Sequence, residues 1–165
     1  MVQTRSESDS KNERVPVVFN HVGQCVTDLE RSRRFYVELF EFEEIRELHP
    51  PDDPSTKLLR LDAPLGMTAL YLQRDGFVLE LLHFGGRPAR PYQPRVMNDP
   101  GLTHLSLSCD LERVVPRVAE LGGEVLADTD IGFGMFVRDP DGQLLELLPL
   151  AYAERIAGQS STERV

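Results

Sequence analysis

The run Asp139-Pro140-Asp141-Gly142-Gln143-Leu144-Leu145-Glu146-Leu147-Leu148 limits what this chain can fold into more than any other stretch. A Pro-Asp-Gly turn leads into an apolar segment, the punctuation expected before a buried strand. In the middle of that segment stands one carboxylate, Glu146. An ionised carboxylate among leucines is costly unless a cation or several donors compensate it. The pattern occurs earlier as Asp75-Gly76-Phe77-Val78-Leu79-Glu80-Leu81-Leu82. In both copies the glutamate follows the glycine by four residues and precedes two leucines. Two such glutamates in one frame read as half of a site.

The rest of the chain repeats in the same sense. A helix is expected from Thr27 to about Phe40 and another from Asp110 to Leu121, and both carry the string Asp-Leu-Glu-Arg, at 28–31 and 110–113. Each preceding strand, Val15–Val26 and Leu102–Cys109, contains a histidine, His21 and His104. The histidine-to-glutamate spacings are 59 and 42 residues, and the extra length falls in the Pro-rich region 49–66. Two duplicated units, each with one His and one Glu, offer four ligands around a pseudo-two-fold axis. Imidazole nitrogen and carboxylate oxygen suit borderline divalent ions such as Zn, Ni, Co, Fe or Mn. Taken singly, a strand histidine is an ordinary hydrogen-bonded core residue and a strand glutamate an edge residue; the duplication is what favours a metal.

Between these markers the pattern is mixed. Thr27-Asp28-Leu29-Glu30 has capping-box spacing at the head of the first helix. Phe42–Leu48 reads as a strand and residues 49–54, with three prolines, as loop. Residues 55–61 are compatible with a short helix from Asp53-Pro54 or a strand over Leu58–Leu61. Met67–Gln73 and Phe77–Phe84 form a hairpin about Asp75-Gly76. Pro116 requires the second helix to start late or to be irregular in its first turns. Short strands are expected at Glu124–Ala127 and Phe133–Arg138. The resulting division is a disordered tail over 1–15, a first module over 16–84, a Gly/Pro/Arg-rich linker over 85–101, a second module over 102–150, and a short helix with a flexible tail over 151–165.

At 165 residues, 41% of them apolar, the chain has the length and composition of one domain or of two small modules sharing a core. A formal charge of −9 argues against nucleic-acid or anionic-membrane surfaces as partners. There is no signal-peptide pattern at the start and no apolar run of transmembrane length. Two cysteines without a Cys-x-x-Cys point to a reduced, cytoplasmic setting, with Cys25 and Cys109 read as small buried hydrophobes. His49 and His83 read as surface residues, and Arg87, Arg90 and Arg95 as a solvated cluster in the linker. Phe133, Met135 and Phe136 read as lining or core.

Asn20-His21-Val22, Thr27-Asp28-Leu29-Glu30-Arg31-Ser32 into Phe35-Tyr36, Gly101-Leu102-Thr103-His104, and Phe136-Val137-Arg138-Asp139-Pro140-Asp141-Gly142 into Glu146 together resemble the vicinal oxygen chelate superfamily. That superfamily includes glyoxalase I, methylmalonyl-CoA epimerase, extradiol dioxygenases and fosfomycin resistance proteins. The resemblance covers roughly 17–150. It implies an α+β fold of two tandem β-α-β-β-β modules whose sheets form an open barrel around a metal site. One divalent ion would be held by His21, Glu80, His104 and Glu146. It also implies a homodimer, with the site inside one chain or between chains.

Two histidines and two glutamates leave an octahedral ion two exchangeable positions. A small-molecule substrate with vicinal oxygens would fill both, and the ion would stabilise an enediolate-like anion as a Lewis acid. A glutamate released from the ion would be the base beside the acidic carbon; Glu146 and Glu80 are the candidates. The ligand pattern is closest to glyoxalase I, a lyase/isomerase. An acyl-CoA epimerase fits less well, because its pattern has glutamine where Glu80 stands. A non-haem Fe(II) extradiol dioxygenase needs only His21, His104 and Glu146, leaving Glu80 unexplained. A non-catalytic binding or resistance protein would not need the full quartet. A glutathione-type substrate would call for basic residues at the cavity mouth, with Arg33, Arg34, Arg60 and Arg138 as the candidates.

Overall fold

A computed structural model describes residues 15–90, 92–93 and 96–159; the expectations for residues 1–14, Arg95 and the tail beyond 159 lie outside the described residues. The first sheet is built from β1 (Val22–Val26), β2 (Glu43–Leu48), β3 (Met67–Arg74) and β4 (Phe77–Phe84), in the order β1-β4-β3-β2. The second is built from β5 (Leu105–Cys109), β6 (Glu124–Leu126), β7 (Met135–Arg138) and β8 (Leu144–Pro149), in the order β5-β8-β7-β6. In each sheet the first strand lies parallel to the last and the remaining pairs are antiparallel. The duplication is therefore a repeat of topology as well as of sequence, and the fold is α+β. The two four-stranded sheets stay open, as expected of two tandem modules that do not close into one barrel.

Period-two alternation sorts each strand into two faces. Leu70, Leu72, Leu79 and Leu81 of the first sheet and Val137, Leu145 and Leu147 of the second are buried in one shared cluster. Phe35, Tyr36, Leu39 and Val118 join it from the helices. Glu80 and Glu146, each between two such leucines, therefore belong to the opposite face, away from this cluster.

Helix α1 (Leu29–Arg34) continues as a wider π-helical segment over Phe35–Leu39, where Phe35, Tyr36 and Leu39 are all buried. Its N-cap is Asp28, whose carboxylate accepts from the Arg31 amide at 3.0 Å. The capping box expected at Thr27 does not form, because both the amide and the hydroxyl of Thr27 donate to Asp141 instead. The expected loop over 49–54 gives way at Asp52, where α2 (Asp52–Leu59) begins behind Pro51. Pro54 falls in the first turn, where a missing N–H has no intrahelical partner to lose. α3 (Leu111–Glu120) runs straight through Pro116, against the expectation of a late start. Pro116 and Glu112 are both exposed, so the carbonyl that loses its amide partner is solvated. The final helix, α4, spans Leu150–Gln159. No helix among the described residues is long and apolar enough to cross a membrane.

Two further expectations are corrected. Cys25 is exposed, since its parity places it on the face of β1 opposite the buried Val26, and Phe133 is 56% exposed in the approach to β7. His49 behaves as expected of a surface residue, beside Glu47 at 3.0 Å.

The modules touch through the π-helical segment and α3, and Gly123 is tightly enclosed at this contact. A side chain there would begin 2.6 Å from the Arg138 carbonyl and 2.7 Å from the Phe35 ring. Gly123→Ala is expected to destabilise the fold by about 2 kcal/mol through overpacking, read as a lower urea midpoint with unchanged slope.

Candidate metal centre

Each histidine stands one residue before its strand, His21 ahead of β1 and His104 ahead of β5. Each glutamate is the third or fourth residue of the strand alongside. His21 Nε2 lies 3.1 Å from Glu80 Oε2, and His104 Nε2 lies 3.6 Å from Glu146 Oε2. The other ring nitrogen is occupied in both cases: His21 Nδ1 is 2.8 Å from Asn20 Oδ1, and His104 Nδ1 is 2.9 Å from Thr103 Oγ1. Partners of this kind fix a ring's orientation and present the remaining nitrogen. With Nδ1–H donated to Asn20, the His21 Nε2 lone pair faces a carboxylate oxygen. Two acceptors facing each other are stable only with a cation between them, a proton or a metal.

The separation is informative. Two ligands bound at right angles about 2.1 Å from one ion lie about 3.0 Å apart. The His21–Glu80 pair already has that spacing, and the His104–Glu146 pair is somewhat wider. The residues present thus fit a divalent ion in kind and, pair by pair, in position.

The four do not converge. Among the described residues no group of three or more His, Cys, Asp or Glu side chains is placed to hold one ion. The four residues named from the sequence therefore stand as two His/Glu pairs, one per module, and of the two arrangements expected, inside one chain or between chains, neither is formed by the single chain.

The strand registers show how closely the half-sites correspond. Glu80 is paired with Gly23 on one side and Tyr71 on the other; Glu146 is paired with Ser106 and Phe136. The rings of Tyr71 and Phe136 stand edge-on to His21 and His104, with centroids 5.5 and 5.4 Å apart. The hydroxyls are placed crosswise. Tyr71 donates to Glu80 Oε1, whereas Ser106 donates to Glu146 Oε2 at 2.6 Å. The Tyr71 phenol is pushed up to about 12, first by the hydrogen bond to the Glu80 carboxylate and then by burial. Glu80 is the more enclosed carboxylate, with 12% of its side chain exposed against 31% for Glu146.

Sequence reasoning missed Tyr71 and Ser106. Tyr71 was recoverable: the two-residue turn at Asp75-Gly76 pairs Arg74 with Phe77 and so, three steps on, Tyr71 with Glu80. Ser106 was not, since a parallel pair formed across a long crossover has no local turn to set its register.

A groove of about 260 Å³ runs between β1 and β5, lined by Gln24, Cys25, Tyr92, His104, Asp141 and Gln143 among others, with no lysine or arginine among the described residues. Tyr92 closes one end by lying flat on Gly142, its ring 3.0 Å from where a side chain would begin. The arginines considered for an anionic substrate are elsewhere. Arg33 is tied to Glu30 and Glu44, Arg34 to Glu38, and Arg60 is the exposed cap of α2. Arg138 is held by Glu124 at 2.7 Å beside a smaller cavity. In the linker, Arg87 donates to the Asp62 carbonyl at 3.0 Å and Arg90 is exposed.

Duplicated β-α-β-β-β units, each with a His/Glu pair on the face of its sheet opposite the shared core, define a class of α+β protein. Residues 18–147 match the model of the Glyoxalase/Bleomycin resistance protein/Dioxygenase superfamily, and the chain belongs to that family. It is similar to the trypanothione-dependent glyoxalase I of Leishmania major (25% identity, 87% of this chain and 94% of that chain, TM-score 0.62). It is similar also to a glyoxalase family protein from Enterococcus faecalis (29% identity, 79% and 96%, TM-score 0.56). The fosfomycin resistance protein FosX of Listeria monocytogenes shares the fold (21% identity, 86% and 99%, TM-score 0.56) and has been solved with Mn(II). No curated protein matches the sequence significantly.

Proposed function

We propose that the protein is a divalent-metal-dependent lyase or isomerase of the glyoxalase I type, whose site is completed by a second copy of the chain. The observation that carries this reading is the pair of matched His/Glu half-sites that stay apart within one chain. Apposing the first module of one copy to the second module of another would bring two imidazoles and two carboxylates together. The surfaces beside the histidines suit such an interface. Phe19 and Leu102, each two residues before a histidine, are both 71% exposed, and Val15, Val17 and Val18 extend the first apolar segment. Buried apolar area at an interface would offset this exposure.

In the completed site, His21, Glu80, His104 and Glu146 would hold the ion. Bound there, it supplies Lewis acidity toward a substrate's two adjacent oxygens. The chain's own part is to orient two imidazoles through Asn20 and Thr103, to present two carboxylates beside them, and to move one proton between carbons. One glutamate would take the proton from the carbon next to the carbonyl and return it to the former carbonyl carbon. The hydroxyl proton passes from the first oxygen to the second, so that the carbonyl and hydroxyl exchange places.

Metal analysis with assays on hemithioacetals, acyl-CoA esters and catechols tests the reading. The expected result is about one ion per chain and turnover of a hemithioacetal that persists without oxygen. Chelation should lower that activity by at least about 100-fold, with recovery on adding a divalent ion. Turnover confined to catechols in air would instead establish the dioxygenase, and no metal uptake would remove the enzymatic reading.

A further inference from the structure

The two half-sites differ in which carboxylate oxygen carries the hydroxyl, and this bears on how each glutamate behaves toward an ion. In the first, Tyr71 occupies Glu80 Oε1 and leaves Oε2 turned to His21. The two oxygens have separate duties, and the carboxylate is fixed in the orientation that faces the imidazole. Gly23 stands directly across, and a side chain there would begin 3.3 Å from Oε2, so the absence of a side chain keeps that oxygen clear.

In the second half-site Ser106 occupies the place of Gly23, and its hydroxyl bonds Oε2, the same oxygen that faces His104. The hydroxyl takes one of the two lone pairs of that oxygen and draws down its electron density. The oxygen turned to His104 is therefore a weaker donor to a cation than Glu80 Oε2, which carries no hydroxyl. Phe136 stands where Tyr71 would be and offers no hydroxyl to the other oxygen. The longer His–Glu distance, 3.6 Å against 3.1 Å, agrees with a carboxylate drawn toward the serine.

We propose that Tyr71 and Ser106 are positioning residues of opposite effect: Tyr71 holds Glu80 as the standing ligand, whereas Ser106 competes with the ion for Glu146 and receives that carboxylate when it leaves. The pairing gives the site one fixed and one exchangeable carboxylate, and the exchangeable one is free to act as the base. This rests on the four residues being ligands, as proposed above.

The test is metal affinity, measured by competition with a chromophoric chelator on the full chain and its variants. Tyr71→Phe keeps the ring against His21 and removes only the hydroxyl; it is expected to weaken binding about tenfold. Ser106→Ala is expected to tighten binding about fivefold and to lower kcat with KM unchanged, because the departing carboxylate loses its acceptor site. Ser106→Thr retains the hydroxyl and should behave as wild type. Thermal unfolding in excess chelator should be the same for all four proteins. Shifts of affinity in one common direction, or none, would overturn the proposal, as would a large loss of metal-free stability in Tyr71→Phe. Failure of the wild-type chain to bind any divalent ion would overturn the ligand assignment itself, a separate and distinguishable result.

Discussion

A heterodimer made of one His21→Ala chain and one His104→Ala chain should regain about half of wild-type activity, although each variant alone should lose at least about 100-fold. The asymmetry follows from counting ligands. If each centre joins the first module of one chain to the second module of its partner, both lesions fall in one centre. The other centre then has His21, Glu80, His104 and Glu146 intact. If each centre formed inside one chain, both would carry a lesion and mixing would restore nothing. Co-expression with two affinity tags, followed by tandem purification, isolates the mixed species. Activity per centre decides the matter. Size measured by light scattering, with and without metal, gives the accompanying assembly state. The prediction depends on the separation of the half-sites and not on the identity of the substrate, so it can be read with whichever compound is turned over.

Asp139→Ala should destabilise the fold by about 3 kcal/mol, lowering the unfolding temperature by roughly 10 °C. Asp139 is 3% exposed and sits where the second module meets the first. Its Oδ1 accepts from the amides of Asp141 and Gln143, at 2.9 and 2.8 Å. Its Oδ2 accepts from Gln24 Nε2 at 2.5 Å and from the fully buried Tyr36 hydroxyl at 2.9 Å. Removing the carboxylate strands several buried donors at once, and unsatisfied donors, more than lost bonds, set the cost. The adjacent Asp141 adds Thr27, Arg31 and Ser32 of the first module to the same junction.

Burial pushes the Asp139 carboxyl up, and the bonds from Gln24, Tyr36 and the turn amides offset only part of that. The group therefore binds its proton more tightly folded than unfolded. Its contribution to stability is greatest below the ordinary aspartate range and declines as pH rises through the folded value. Mild acid should not open this junction. Asp139→Asn, which keeps an acceptor for the turn amides, should cost less than the alanine.

Much of this protein is legible along the chain because the repeat is local in character. The Gly-x-x-x-Glu-Leu-Leu frames give two strands, and their parity puts each glutamate opposite the leucines that enter the core. The Asp75-Gly76 turn determines the register of its hairpin, and the paired Asp-Leu-Glu-Arg strings mark both helices. Capping proved less readable. Thr27 has the residue type and spacing of a cap, yet a carboxylate more than a hundred residues away takes its donors. The passage of α3 through Pro116 depended on where solvent lay, which no local pattern records.

The sequence by itself determined that two units each carry one imidazole and one carboxylate, because residue type and strand parity are properties of short segments. Only the tertiary structure decided that these groups meet in pairs rather than as four, and that a tyrosine hydroxyl bonds one glutamate while a serine hydroxyl bonds the other. Those outcomes depend on the register between strands joined by long crossovers and on how two finished modules pack. Both are set by shared burial of the whole core, which no single stretch of the chain encodes.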